Sequence, residues 1–347
     1  MKRSTILLYL TILCGICYAE KKFDLTKIPS PIILQGNNST AYRDPAILFH
    51  NDRFYLFYTV TKIENDSIWS YTALSESDDL IKWTSPHYIT PSSQSLNYSS
   101  PGNIIHYKDE WILCLQTYPR PDYTKKQMPR YGNEMSRIYI MRSKDLTQWS
   151  QPEILKVKGD IPVEEMGRMI DPFLIEDKDV SGKWWCFYKQ NGISMSYSYD
   201  LEQWTFNGSA DAGENACIIT VNNKYVLFHS PPNGIGMKIS TDLKHWKDYG
   251  NLITLGQEEW EWAKGRITAG TVLDLTQVDG INKYVMFFHA SGPLTEAEGD
   301  FDKNSSIGIA WSNDLLNWDW IHYSQKEMVC ELDKRNLRVR SDSNSSL

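Results

Sequence analysis

Five copies of one short phrase constrain this chain more than any other feature. Residues 77–83, 143–149, 198–204, 240–246 and 312–318 each read Ser-x-Asp-Leu-x-x-Trp. Their tryptophans, Trp83, Trp149, Trp204, Trp246 and Trp318, are separated by 66, 55, 42 and 72 residues. Self-similarity on that scale marks a repeat architecture. Ser and Asp bond nearby backbone groups and so favour a turn, while Leu and Trp supply apolar bulk to pin the turn against a sheet. A pair of β-patterned runs precedes each copy, such as 107–115 ahead of Trp149, and a third run, such as 138–142, lies between pair and turn. A fourth short strand is expected after each Trp. Four strands per unit and five units predict an all-β, five-bladed β-propeller.

The openings of the units carry the chemistry. Tyr42-Arg43-Asp44-Pro45 leads into a short apolar strand, and Met169-Ile170-Asp171-Pro172 and Gly213-Glu214-Asn215-Ala216 repeat the pattern. The other two openings are Ser100-Pro101 and Ala269-Gly270. The first strand of a propeller blade lines the central axis, so equivalent positions far apart in sequence converge in space. Asp44, Asp171 and Glu214 are therefore expected at one equivalent position in three blades, meeting at one site.

Residues 1–19 read as a secretory signal: Lys2 and Arg3, an apolar run from Ile6 to Cys17, then Cys17-Tyr18-Ala19 before Glu20. A secreted or periplasmic protein is expected, with one propeller domain over 20–333 and a polar tail over 334–347. The apolar run is too short to span a bilayer comfortably, so membrane insertion is not expected; a lipoprotein anchored through Cys14 or Cys17 is the lesser alternative, since Leu13 or Ile16 before the cysteine fits it poorly. A formal net charge of -7, without a long run of one sign, excludes the basic face that nucleic-acid binding needs. Beyond the signal, Cys114, Cys186, Cys217 and Cys330 show no Cys-x-x-Cys spacing, which leaves out zinc and dithiol redox sites. Nothing in the sequence asks for an oligomer, and a monomer is expected. The 13 Trp and 20 Tyr suit a β-rich core and also sugar stacking, with Tyr42, Trp69, Tyr118 and Trp262 as candidate platforms. Arg120, Lys125, Lys126 and Arg130 form a basic segment that is either a solvated rim or an attraction for an acidic glycan.

Arg-Asp-Pro-x-Ile at the start, Ile-Asp-Pro-x-x-Ile in the middle and a Glu one blade later make the chain resemble glycoside hydrolase family 43, over nearly its whole length. That resemblance implies an inverting hydrolase releasing terminal arabinofuranose, xylose or galactose from plant-type polysaccharide. It implies Asp44 as general base, Glu214 as general acid and Asp171 as the carboxylate tuning the acid. An inverting pair sits roughly 6.5–9.5 Å apart to admit the attacking water, and a neighbouring carboxylate raises the acid's proton affinity. The chain departs from the family's pattern after Glu214, where Asn215-Ala216 follows; Glu164, Glu165 and Asp211 are the alternative acids. Arg266, Arg43 and Tyr42 are implied in substrate binding, and His289 in substrate binding or in the water shell of a structural calcium ion. No other cofactor is expected. The alternatives are another propeller-clan glycosidase or phosphorylase, or a carbohydrate-binding propeller without catalysis; a phosphorylase would need a cationic phosphate cluster.

Overall fold

The computed structural model describes residues 23–322. The leader and tail segments and Cys330 lie outside the described residues. Five antiparallel sheets form the ring. Blade I comprises Thr40–His50, Arg53–Glu64, Ser67–Ser77 and His87–Tyr88. Blade II opens with two short strands, Tyr98–Ser99 and Ile104–Tyr107, both pairing with Glu110–Thr117, and continues through Ile138–Ser143 to Glu153–Ile154. Blade III runs Ile170–Glu176, Trp184–Lys189, Ile193–Ser198 and Thr205–Ala210. Blade IV runs Glu214–Val221, Lys224–Ser230, Gly236–Ser240 and Lys247–Asp248. In blade V, Arg266–Leu275, Lys283–Ser291 and Ser306–Ser312 are joined at the outer edge by both Trp318–Asp319 and the early strand Ile32–Leu34. The start of the propeller is thus hydrogen-bonded to its last blade, which fastens the ring. Among the described residues no helix is long and apolar enough to cross a membrane.

The recurring phrase folds the same way each time. In blade IV, Ser240 Oγ accepts the amides of Asp242 and Leu243, at 3.2 and 3.1 Å. Asp242 Oδ1 accepts the amides of Lys244 and His245, at 3.0 and 2.9 Å. The Trp246 indole then donates to the Leu243 carbonyl at 3.1 Å. The leucine of every copy (Leu80, Leu146, Leu201, Leu243 and Leu315) takes a left-handed φ of 62–69° and is buried. That backbone is costly for a branched side chain; saturated polar bonding and burial of the leucine offset the cost.

The blade openings also share a geometry. Asp44, Ser100, Asp171, Asn215 and Ala269 all have left-handed φ, between 41 and 54°. In four of the blades the pairing register slips there: between Arg43 and Ala46, Ile170 and Phe173, Glu214 and Cys217, and Thr268 and Thr271. A bulge of this kind bends the strand and re-aims its side chains. The five openings meet around a small axial cavity of about 20 Å³. Packing there is close: a Cβ on Gly102 would lie 1.5 Å from the Pro172 carbonyl oxygen.

This geometry corrects one expectation. Asp44 and Asp171 are equivalent, but in blade IV the equivalent residue is Asn215, not Glu214. Glu214 stands one position earlier, where blade I has Arg43. The bulge decides the register, and Asn, which tolerates left-handed φ, occupies the turn that Asp fills in blades I and III.

Candidate active site

One end of the axis opens into a cavity of about 200 Å³. Asp44, Asp171 and Glu214 line it together with Arg43, Arg266 and His289. Tyr42 does not: successive strand residues point to opposite faces, and its ring turns to Tyr58, 5.8 Å away edge-on. Of the aromatic platforms, Tyr118 lines the cavity, whereas Trp262 stacks within the core on Trp260 and Phe288 and Trp69 stands outside the lining. The alternative acids Glu164, Glu165 and Asp211 are exposed and outside it.

Asp44 is buried and held from several sides. Its Oδ2 accepts the Thr59 hydroxyl at 3.0 Å and the Ser100 hydroxyl at 2.8 Å. Thr59 in turn accepts the Ser100 amide at 2.7 Å, which fixes its hydroxyl proton toward the carboxylate. The Asp44 amide donates to His289 Nδ1 at 3.0 Å. That bond needs the Nδ1 lone pair, so the proton sits on Nε2, which faces Glu296 Oε1 at 3.4 Å. Both His289 nitrogens are thereby engaged. Among the described residues no three His, Cys, Asp or Glu side chains are arranged to hold a metal ion. With Nδ1 accepting and Nε2 protonated, His289 has no lone pair left to offer a calcium ion.

Asp171 is buried between the other two acids. Its amide donates to Gln116 Oε1 at 2.6 Å, and the backbone of Asn215, next to Glu214 in the chain, favours the charged form of its carboxyl. Burial pushes this carboxyl well above the usual range, and the negative charges of Glu214 and Asp44 push it further. Glu214 is half-buried and pairs with Arg266 Nη2 at 2.7 Å.

Sequence reasoning missed Glu296. It lies in the segment between the second and third strands of blade V, at Glu296–Asp300, capped by the Thr295 side chain. Three residues singled out in the sequence converge on it: Arg43 Nη2 at 3.2 Å, Arg266 Nη1 at 2.8 Å and His289. Burial alone would raise its carboxyl, but Arg43, His289 and Arg266 outweigh burial and hold it far below the usual range. Arg43 also donates to the Phe301 carbonyl at 2.9 Å and lies 3.9 Å over the Phe301 ring. No sequence signal marks Glu296, because its partners come from three other strands. Removing one member of a buried ionic network strands the rest. Glu296→Gln is therefore expected to destabilise the fold by about 3 kcal/mol, read as a lower denaturant midpoint at unchanged slope.

No family model matches the chain, and no curated protein matches it in sequence. Solved structures do match in fold. The catalytic domain of the Coprinopsis cinerea family 62 α-L-arabinofuranosidase is 12% identical, covers 81% of this chain and 97% of its own, and has a TM-score of 0.57. An exo-1,5-α-L-arabinanase from a bovine ruminal metagenomic library is 17% identical over 87% of this chain and 100% of its own, TM-score 0.54. A family 43 β-xylosidase/α-arabinofuranosidase from a compost metagenome, solved with xylotriose in a calcium-free form, is 12% identical over 84% and 96%, TM-score 0.55. This chain shares the five-bladed fold of those glycosidases.

Proposed function

We propose that this protein is an inverting glycoside hydrolase that releases a terminal arabinofuranose, xylose or galactose from plant-type glycans. The observation that carries the reading is the meeting of Asp44, Asp171 and Glu214, from three blades, in one cavity. Their environments differ as an acid–base pair with a third carboxyl requires. Two hydroxyls aim at Asp44 Oδ2, leaving Oδ1 to take a proton from the water that attacks the anomeric carbon. Glu214, at the half-buried edge beside Arg266, protonates the departing oxygen. Asp171 and Glu214 oppose one another when both are charged, so the pair keeps one proton to a higher pH than isolated carboxylates would, and that is the proton the acid must deliver.

The test is proton NMR of the product anomer, taken before mutarotation, on pentose- and galactose-terminated oligosaccharides. First product of inverted configuration is the expected result. Retained configuration would sink the inverting assignment, and binding without turnover on every substrate would favour a carbohydrate-binding propeller.

A further inference from the structure

The cavity contains four guanidinium groups, from Arg43, Arg120, Arg168 and Arg266. Three are committed. Arg43 serves Glu296 and the Phe301 carbonyl. Arg266 joins Glu214 to Glu296. Arg120, in the segment the sequence left as rim or glycan contact, is buried: it donates to Asp302 at 2.6 Å and to Ser70 at 2.8 Å, and Asp302 also accepts the Tyr123 hydroxyl. Arg130 of the same segment donates to the Pro121 carbonyl and to Gln127.

Arg168 differs. It is half-buried, stands three residues before Asp171, and its guanidinium makes no hydrogen bond or ion pair among the described residues. Its neighbours are the Tyr118 ring, 5.7 Å from the guanidinium carbon, and Asp171, whose charge it feels without forming an ion pair. Only its backbone carbonyl is used, accepting from Gln190 at 3.0 Å. A guanidinium left with a free fork of donors in a cavity is matched by a planar anion, which it grips in two parallel hydrogen bonds. The protein is acidic overall, so a general attraction for anions does not account for a free cation at this place.

We propose that Arg168 is a specificity residue that receives the carboxylate of an acidic sugar, making uronate-bearing glycans the substrate class. This deepens the glycosidase reading and rests on it for the word substrate. A neutral sugar offers Arg168 only hydroxyls; a uronate offers a charge-assisted pair of bonds, roughly twice as strong each.

Calorimetric titration with D-galacturonate, D-glucuronate, galactose and glucose, on the full chain and on Asp44→Asn, tests binding apart from catalysis. A uronate is expected to bind about 10-fold or more tighter than its neutral counterpart. Arg168→Gln should collapse that ratio toward one, with Arg168→Lys intermediate because it keeps charge but not the fork. The side chain has no hydrogen-bonded protein partner to lose, so the variants' unfolding midpoints should match the wild type. Equal binding of uronate and neutral sugar, or discrimination that survives Arg168→Gln, would overturn the proposal. So would turnover that requires inorganic phosphate and yields a sugar phosphate, since the free fork would then serve a co-substrate. Arg168-dependent uronate binding without hydrolysis of any glycoside would uphold the site and remove the hydrolase reading instead.

Discussion

Asp44→Asn is expected to lower kcat by about 10³-fold, within the range general-base catalysis supplies, and to do so with the fold intact. The amide oxygen of Asn can still accept the Thr59 and Ser100 hydroxyls that now converge on Oδ2. The main-chain bond to His289 Nδ1 is untouched, because it comes from the amide of residue 44. What changes is the other carboxylate oxygen, which becomes an NH2 group and can no longer take a proton from water. KM should therefore move little: an interaction made only in the transition state is removed, which lowers kcat and kcat/KM together. Glu214→Gln separates the acid from the base. With a nitrophenol leaving group, which departs without being protonated, this variant should recover most of its activity, whereas Asp44→Asn should stay slow on activated and natural glycosides alike. Steady-state rates of both variants on a matched pair of substrates decide the assignment. If Asp44→Asn is the one rescued by the good leaving group, the two roles are exchanged; if neither loses activity, the cavity is not where hydrolysis occurs.

The blades were legible because their chemistry is local. Ser240, Asp242 and Leu243 need nothing beyond seven residues to build their turn, so five copies in the sequence become five turns in the fold. A short strand follows the tryptophan in four blades and begins at Trp318 itself in the fifth, the turn returning the chain along its own sheet. The acids were legible as a set but not in their register. Glu214-Asn215 offers two polar residues where Asp44-Pro45 offers one, and only the left-handed φ of Asn215 shows which one sits in the bulge. The arginines were least legible. Arg120 and Asp302 are 182 residues apart and pair only because the ring closes, so a segment rich in Arg and Lys, open to reading as a solvated rim, instead buries one of its charges. Glu296 is the same case, its role fixed by Arg43, Arg266 and His289 from elsewhere in the ring rather than by any residue beside it.

Asp171→Asn should pull stability and activity in opposite directions. The Asp171 carboxyl titrates above its ordinary value of 3.8, first because it is buried and then because Glu214 and Asp44 are negative. The folded protein consequently binds this proton more tightly than the unfolded chain does. Its contribution to stability is fully present below about pH 4 and is lost as pH rises through the raised value. Above that value ionised Asp171 remains a standing cost of folding at neutral pH. Asparagine resembles the protonated acid in shape and carries no charge at any pH. The variant should melt roughly 2–4 °C above wild type at pH 8, with the difference vanishing or reversing near pH 4. Over the same range kcat/KM should fall by about 10²-fold, because the negative charge that favours a proton on the neighbouring acid is gone. Thermal unfolding at the two pH values, run alongside kinetics, measures both effects. A variant less stable than wild type at pH 8 would mean that Asp171 is ionised without cost and helps hold the blades together. The reading of Asp171 as a strained functional group, tolerated at the expense of stability, would then be wrong.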